Sequence, residues 1–154
     1  MKKWLVSLSG LFLGLILMAA VWFFVSPRKN DKLGTEGQAY VDLVVPAIAS
    51  SWDAVKFSRL LSPEVVKEIP ADKIRPLFAS FTKRLGSMKE YYGSRENTPL
   101  VARIGQGGPI TQTYMAKGLC EKAPVFIEVQ IIKNNSEWQI LSFDVNSTAL
   151  LPNP

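Results

Sequence analysis

Residues 124–146 read PVFIEVQIIKNNSEWQILSFDVN and contain two stretches in which apolar and polar side chains alternate. Such alternation is typical of strands with one buried face. The polar residues 134–136 predict a three-residue hairpin loop with an asparagine in the left-handed conformation, which pairs Lys133 with Glu137. The same register gives three further cross-strand pairs: Val129 with Leu141, Ile127 with Phe143, and Val125 with Val145. The hairpin is therefore predicted to turn one wholly apolar face to the core.

The opposite face of this hairpin is predicted to carry an apolar patch formed by four side chains: Phe126, Ile132, Trp138 and Ile140. Exposed patches of this kind often mark partner surfaces. Two interpretations are open. The patch is a partner surface, for a second copy of the chain or for an envelope protein, or it is covered by the curling sheet, the early strands or the tail from residue 148.

Helical periodicity precedes the strands. Residues 35–38 (TEGQ) match a capping box and predict a helix start. Apolar residues then recur at three- and four-residue intervals as far as Trp52, and Pro46 inside the pattern predicts a kinked helix or two abutting pieces. A short helix is predicted at residues 53–61.

Two further helices are predicted before the sheet. Ser62, Pro63 and Glu64 read as N-cap, first helical residue and acidic first turn. The best-patterned helix stops at Gly86, with its N-cap near Asp72 or Lys73, and it has one apolar stripe: Ile74, Leu77, Phe78, Phe81 and Leu85. Strands are predicted at residues 88–94, 100–104, 111–120, 124–133 and 137–146. The pattern predicts an α+β fold, in which helices pack on a curved antiparallel sheet.

An uncharged apolar stretch of 22 residues begins at Trp4 and ends at Val25. As a helix it would be about 33 Å long, enough to cross the hydrocarbon core of a bilayer. Basic residues flank it, and Trp22 lies near its end, as in membrane helices. The sequence predicts a single-pass transmembrane helix at residues 4–25. Cleavage as a signal peptide and export is the alternative, which the bulky residues after Ala20 disfavour.

This segment divides the chain into a cytoplasmic end (1–3), the transmembrane helix, a polar linker (26–34), a folded domain (35–149) and a tail (150–154). Because a long polar domain follows a very short N-terminus, we expect the N-terminus in the cytoplasm. The domain would then lie outside the inner membrane.

Composition excludes several classes of function. The chain has no histidine and one cysteine, which removes histidine-based nucleophile pairs, histidine-ligated zinc and intrachain disulfides. Four of the 18 basic residues but none of the 13 acidic ones lie in the first 29 positions, so the formal charge of +5 falls to +1 beyond them. The net positive charge therefore comes from the basic residues that flank the apolar stretch. The sequence predicts no nucleic-acid partner. The sequence also predicts no metal site and no cofactor.

The order of elements and the C-terminal strand resemble the nuclear transport factor 2-like, cystatin-like superfamily. The strand has the form N-x-x-W-x-I-x-x-F-x-V, here Asn135, Trp138, Ile140, Phe143 and Val145. A Y-V-x-x-V-x-P-x-I helix at residues 40–48, followed by S-W-D, is most similar to small bacterial members of unknown role. The resemblance implies helices and a curved sheet that form a cone. It implies no single function, because this fold carries enzymes, carriers and scaffolds.

Enzymes of this superfamily place acid–base groups inside the cone, where a buried carboxylate and a tyrosine hydroxyl would be needed. Asp42 lies beside the apolar helix stripe, which favours a solvated position over a general base, and we predict no catalytic residue. Tyr91 and Tyr92 are neighbours on a strand, so one should face the core and the other the surface. The predicted ligand-binding residues are Tyr40, Tyr92 and Tyr114. Small residues alternate with Tyr114 and favour either a pocket or a closely packed helix.

Taken together, these features predict a non-catalytic binding or interaction module. It would be tethered to the membrane and would use the cone cavity or the outer face of the sheet. A subunit of an envelope or secretion assembly is the alternative. A third hypothesis, an isomerase-like or dehydratase-like enzyme with a small pocket, requires a carboxylate inside a deep cavity.

Overall fold

The chain folds as a series of helices followed by an antiparallel sheet. The computed structural model describes residues 29–97 and 109–151. The helices are α1 (Lys29–Ala49), α2 (Ala54–Ser58), α3 (Pro63–Glu68) and α4 (Ala71–Arg84). The strands are β1 (Met88–Glu96), β2 (Ile110–Cys120), β3 (Pro124–Asn134) and β4 (Glu137–Asn146), and a short 3-10 helix, Thr148–Leu150, follows. The predicted α+β class is confirmed.

Some predicted elements lie outside the described residues. They include the membrane helix at residues 4–25 and the strand at 100–104. None of the described helices combines the length and the hydropathy of a membrane-crossing segment. Leu33–Pro154 forms one compact unit, and of residues 1–32 only the first turn of α1 is described.

Helix α1 begins earlier than the sequence predicts. It starts at Lys29, so the predicted capping box at residues 35–38 lies inside the helix and part of the predicted linker is helical. Pro46 does not divide α1 into two pieces. Although proline removes one helical hydrogen bond, Val45 and Ile48 on either side of it are buried in the core, and their packing holds the helix together.

Local caps fix the ends of the shorter helices. The Asp53 carboxylate accepts hydrogen bonds from the amides of Val55 and Lys56 at the start of α2. Ser62 caps α3 and Pro63 is its first residue, as predicted. Helix α4 begins at Ala71, slightly earlier than expected and with no side-chain cap. It ends before Gly86, whose φ of 71° suits glycine and confirms the predicted stop.

Trp52 connects the end of α1 to α4. Its indole nitrogen donates a buried hydrogen bond of 2.8 Å to the Gly86 carbonyl. Its ring lies 5.7 Å from Phe78 and 5.1 Å from Phe81, measured between ring centroids. The Trp52 backbone has a φ of 48°, in the left-handed region that large side chains avoid. Packing around the indole therefore holds a strained backbone in place.

The strands form one sheet in the order β1-β2-β3-β4 with antiparallel neighbours. A two-residue turn joins β3 to β4, and Asn134 pairs with Glu137 across it. Both turn residues, Asn135 and Ser136, have positive φ values of 46° and 72°. The predicted three-residue loop is wrong, because a turn with two left-handed residues follows the twist of the strands and needs only two positions.

A bulge at Leu141 shifts the β3–β4 register a second time. The observed pairs are Lys133 with Trp138, Ile131 with Ile140, Val129 with Phe143, and Ile127 with Val145. The predicted pairs are therefore wrong by one position near the turn and by two beyond the bulge. Phe143 and Val145 still face the core side, as predicted. Ile140 takes a buried place on that side, whereas Leu141 lies at the bulge and is half-buried.

The turn gives a direct test of its backbone geometry. Replacing Ser136 with glycine removes a side chain from a left-handed residue, and we expect the free energy of unfolding to rise by about 0.5 kcal/mol. Ser80→Gly, inside α4, should instead lower it by about 0.5 kcal/mol. Urea unfolding of the full chain in detergent micelles, followed by circular dichroism, measures both changes. A loss of stability in Ser136→Gly would contradict the assigned turn.

Candidate functional site

An apolar groove opens between the helices and the edge of β4. Its volume is about 210 Å³. The helical side contributes Phe57, Leu61, Val65, Ile69, Ile74, Leu77 and Phe78, and β4 contributes Leu141, Ser142, Phe143 and Asp144. Leu141, the residue at the bulge of β4, is part of this lining.

The floor of the groove consists of aromatic rings that belong to the core. Phe57 lies 5.0 Å from Phe78 and 5.2 Å from Phe143 between ring centroids. These separations are typical of favourable aromatic pairs. Because Phe57 and Phe78 are buried in the same core as Phe81 and Ile127, the space between helices and sheet is filled by side chains at this point, and the groove lies above them.

Exposed apolar side chains form the rim of the groove. Ile69 is 45% exposed and Leu77 is 52% exposed. The sequence predicts Leu77 on the buried stripe of α4, and this prediction is wrong. The apolar stripe of α4 is wider than the part of the helix that packs against the core. Asp144 is the charged residue among the described lining residues. Asp144 could not be recognised from the sequence as a site residue. It alternates with core-facing residues, as any polar residue on the outer face of a strand does.

A second polar cluster lies between α1 and β1. One carboxylate oxygen of Asp42, Oδ1, accepts hydrogen bonds from the Tyr91 hydroxyl (2.7 Å), the Ser94 hydroxyl (2.7 Å) and the Ser94 amide (2.9 Å). The predicted solvated position of Asp42 is therefore wrong, since the residue is half-buried. Asp42 is absent from the lining of the groove.

A bulge in β1 makes this cluster. In a regular strand, residues three positions apart point to opposite faces. Tyr91 pairs with Gly118 and Ser94 pairs with Ala116, and the register shifts between Tyr91 and Gly93. Gly93 has a φ of 92°, which suits glycine at a bulge. The shift turns both Tyr91 and Ser94 towards α1.

Two of the tyrosines should make the protein sensitive to alkaline pH. Burial first, and then the hydrogen bond to Asp42, raise the pKa of Tyr91 above the usual 10.0. Burial, with the charges of Glu96 and Asp42, raises the pKa of Tyr114 to about 12. Because the folded pKa values are raised, stability is fully present below pH 10 and is lost as the pH rises towards 12. Each group contributes a slope of at most about 1.4 kcal/mol per pH unit, and Tyr91 contributes less than this because its side chain is half-exposed to solvent.

Urea unfolding of the full chain, repeated from neutral to alkaline pH, measures this slope. Tyr91→Phe should reduce it, whereas Tyr92→Phe, which removes an exposed phenol, should leave most of it. An unfolding free energy that does not change in the alkaline range would contradict the expectation.

The three tyrosines predicted to bind a ligand do not form one site. Tyr114 is fully buried, and its hydroxyl donates to the Gly34 carbonyl (2.8 Å). A Cβ on Gly37 would collide with side chains of Gln112 and Tyr114. The closely packed helix, rather than a pocket, therefore accounts for the surroundings of Tyr114. Tyr40 is half-buried against the core.

Tyr92 lies apart from the other two tyrosines. It is 62% exposed, and its hydroxyl donates to the Glu90 carboxylate (2.9 Å). With Met115 and Lys117 it borders a polar depression of about 420 Å³. Of the neighbouring tyrosines, Tyr91 faces the helices and Tyr92 faces solvent, as expected.

The predicted apolar patch on the outer face is also divided. Trp138 pairs with Lys133 and Ile140 with Ile131, so both lie on the side that faces the helices. Phe126 and Ile132 remain on the outer face, where Phe126 is exposed and Ile132 is buried. The prediction of one continuous patch is wrong because it used the three-residue loop register. In the described part of the tail, Leu150 packs against the core, and its carbonyl accepts a hydrogen bond from Arg84.

Comparisons of the chain with protein-family models, with curated proteins and with solved structures found no match.

Proposed function

We propose that this chain is a non-catalytic binding module and that the apolar groove beside β4 is its binding site. Its predicted anchor at residues 4–25 would hold the domain outside the cytoplasmic membrane. The observation that carries the proposal is the exposure of Ile69 and Leu77 on the rim of a concave apolar surface. Concave apolar surfaces with a few polar groups are the usual form of binding sites.

The proposal includes the resemblance to the nuclear transport factor 2-like superfamily. Helices that precede one antiparallel sheet, in the order found here, support that resemblance. The buried aromatic residues between helices and sheet favour binding at the edge of the core over binding deep inside it.

A photoreactive probe tests the groove as a binding site. The full chain in phospholipid nanodiscs is illuminated with a short alkyl diazirine, and the labelled residues are mapped by mass spectrometry. We expect labels at Ile69, Leu77 and Leu141. Leu77→Asp should reduce groove labelling by about tenfold, because a charge replaces an apolar contact.

Leu43→Asp is the matched control, since Leu43 is a helical leucine that is 71% exposed and lies outside the groove lining. It should leave groove labelling unchanged. Labels within residues 4–25 would measure the probe that is dissolved in the bilayer and would serve as an internal reference. Labelling that is equally strong at Leu43 and in the groove would show that the groove is not a specific site.

The alternative, a subunit of an envelope or secretion assembly, would use the outer face of the sheet. Phe126 is 43% exposed there, and the Lys117 ammonium lies 5.6 Å from the centre of its ring. A photocrosslinker in place of Phe126 in native membranes tests this alternative. Capture of one distinct protein from this position, and from no groove position, would favour it.

A further inference from the structure

The edge of β4 beside the groove is already used for strand pairing at one point. The Ile140 amide donates to the Leu60 carbonyl (2.8 Å), and the Ile140 carbonyl accepts from the Ser62 amide (2.9 Å). These bonds make a parallel bridge between Leu61 and Ile140. At this point the edge of β4 therefore pairs with a residue whose chain runs parallel to it.

The pairing stops where the groove begins. After Ser62 the chain leaves the sheet and enters α3. β4 is the last strand of the sheet, and in the described part of the chain the residues from Ser142 to Asn146 pair on one side, with β3. Unpaired edge strands are templates for strand addition. The groove thus lies along a length of sheet edge that continues the bridge made by Leu61.

The size of the groove limits what it can hold. A volume of about 210 Å³ is below the range of about 300–1,000 Å³ that is typical of small-molecule sites. It suits one or two apolar side chains. An extended segment supplies such side chains at every second position, since alternate residues point to the same side.

The charges at this edge favour a basic partner. Asp144 borders the groove with its side chain on the outer side of the sheet, and Glu128 lies directly opposite it on β3. Like charges on facing positions of neighbouring strands are unfavourable. Asp144 forms no ion pair within residues 29–97 and 109–151. A lysine or arginine from a partner would relieve this repulsion.

We infer that the groove receives an extended segment of a partner protein, which adds to the edge of β4 in parallel, in line with Leu61. One apolar side chain of the segment enters the groove between Leu77 and Phe143, and a basic side chain next to it faces Asp144. This inference rests on the proposed function and gives the chemistry of the partner.

Peptide selection on the full chain in phospholipid nanodiscs tests the inference. The probe is a phage-displayed library of random peptides, with Leu77→Asp as the counter-target. We expect the enriched peptides to have apolar residues at every second position and a lysine or arginine beside them. Selection of apolar residues at helical spacing, or no enrichment over Leu77→Asp, would overturn the inference.

Backbone methylation of the best selected peptide then separates strand addition from simple apolar contact. Methylation of the amides that face β4 should weaken binding by about tenfold or more, since each removes one hydrogen bond. Methylation of the alternate amides should have little effect. If both methylation patterns are tolerated equally, strand addition is wrong.

The charge of Asp144 is tested separately. Asp144→Asn should lower the affinity of the peptides that carry a lysine or arginine, and it should reduce the salt dependence of their binding.

Two further outcomes identify other occupants. If two copies of Asn146→Cys form a disulfide through their β4 edges and no peptide is selected, a second copy occupies the edge and the inference is wrong. If the alkyl probe labels the groove but no peptide is selected, the inference fails while the proposed function stands. Loss of alkyl labelling as well would remove both.

Discussion

Trp52→Ala is expected to lower the free energy of unfolding by about 3–5 kcal/mol, the range for removing a large buried aromatic residue. The indole packs against Phe78 and Phe81, and its nitrogen donates a hydrogen bond to the Gly86 carbonyl. Alanine would leave a cavity and an unpaired carbonyl. Urea unfolding of the full chain in detergent micelles, followed by circular dichroism, measures the loss.

The unusual backbone of Trp52 provides a control for this prediction. Glycine normally destabilises a protein more than alanine does, but at a φ of 48° it avoids a strain of about 1–2 kcal/mol. We therefore expect Trp52→Gly to be as stable as Trp52→Ala or more so. Trp52→Phe, which keeps a ring and loses the hydrogen bond, should cost about 1–2 kcal/mol. A glycine variant clearly less stable than the alanine variant would show that the backbone is not strained.

Asp42→Ala is expected to cost about 3 kcal/mol, because three donors lose a charged acceptor in a half-buried place. The donors are the hydroxyls of Tyr91 and Ser94 and the Ser94 amide. Asp42→Asn keeps an acceptor oxygen at this position and should cost less. The same urea unfolding experiment measures both changes.

Asp72→Ala is the matched control for Asp42, since the Asp72 side chain is 87% exposed. It should change the unfolding free energy by less than about 0.5 kcal/mol. Similar losses in Asp42→Ala and Asp72→Ala would mean that the three hydrogen bonds to Asp42 contribute nothing. The cluster would then have no role in attaching α1 to the sheet.

The sequence predicts the elements of this domain well where local chemistry decides them. Ser62 and Pro63 start a helix by supplying a cap and a preset φ, and Gly86 ends one because its backbone takes a positive φ. The limits of the last two strands follow from their alternating side chains. In each case, residues that are close in the chain determine where the helix or strand begins or ends.

Features that depend on pairing between strands are harder to predict. One residue more or less in the turn before Glu137 moves every cross-strand pair, and the bulge at Leu141 moves them again. The pattern of apolar residues tolerates both shifts, since Ile140 and Leu141 are adjacent and either can face the core. The division of the outer patch follows from these shifts. The Asp42 cluster depends in the same way on the bulge near Gly93.

Helix α3 gives the groove an adjustable wall. None of its six residues is buried, whereas Leu61 and Ser62 just before it are buried and fix its starting point. Val65 is the α3 side chain that packs against the core. Rotation of α3 about Ser62 would break few core contacts, so opening this wall requires far less free energy than unfolding the domain. Amides of α3 should then exchange with deuterium well before those of α4, and side chains of different widths can be admitted beside β4 without any change in the sheet.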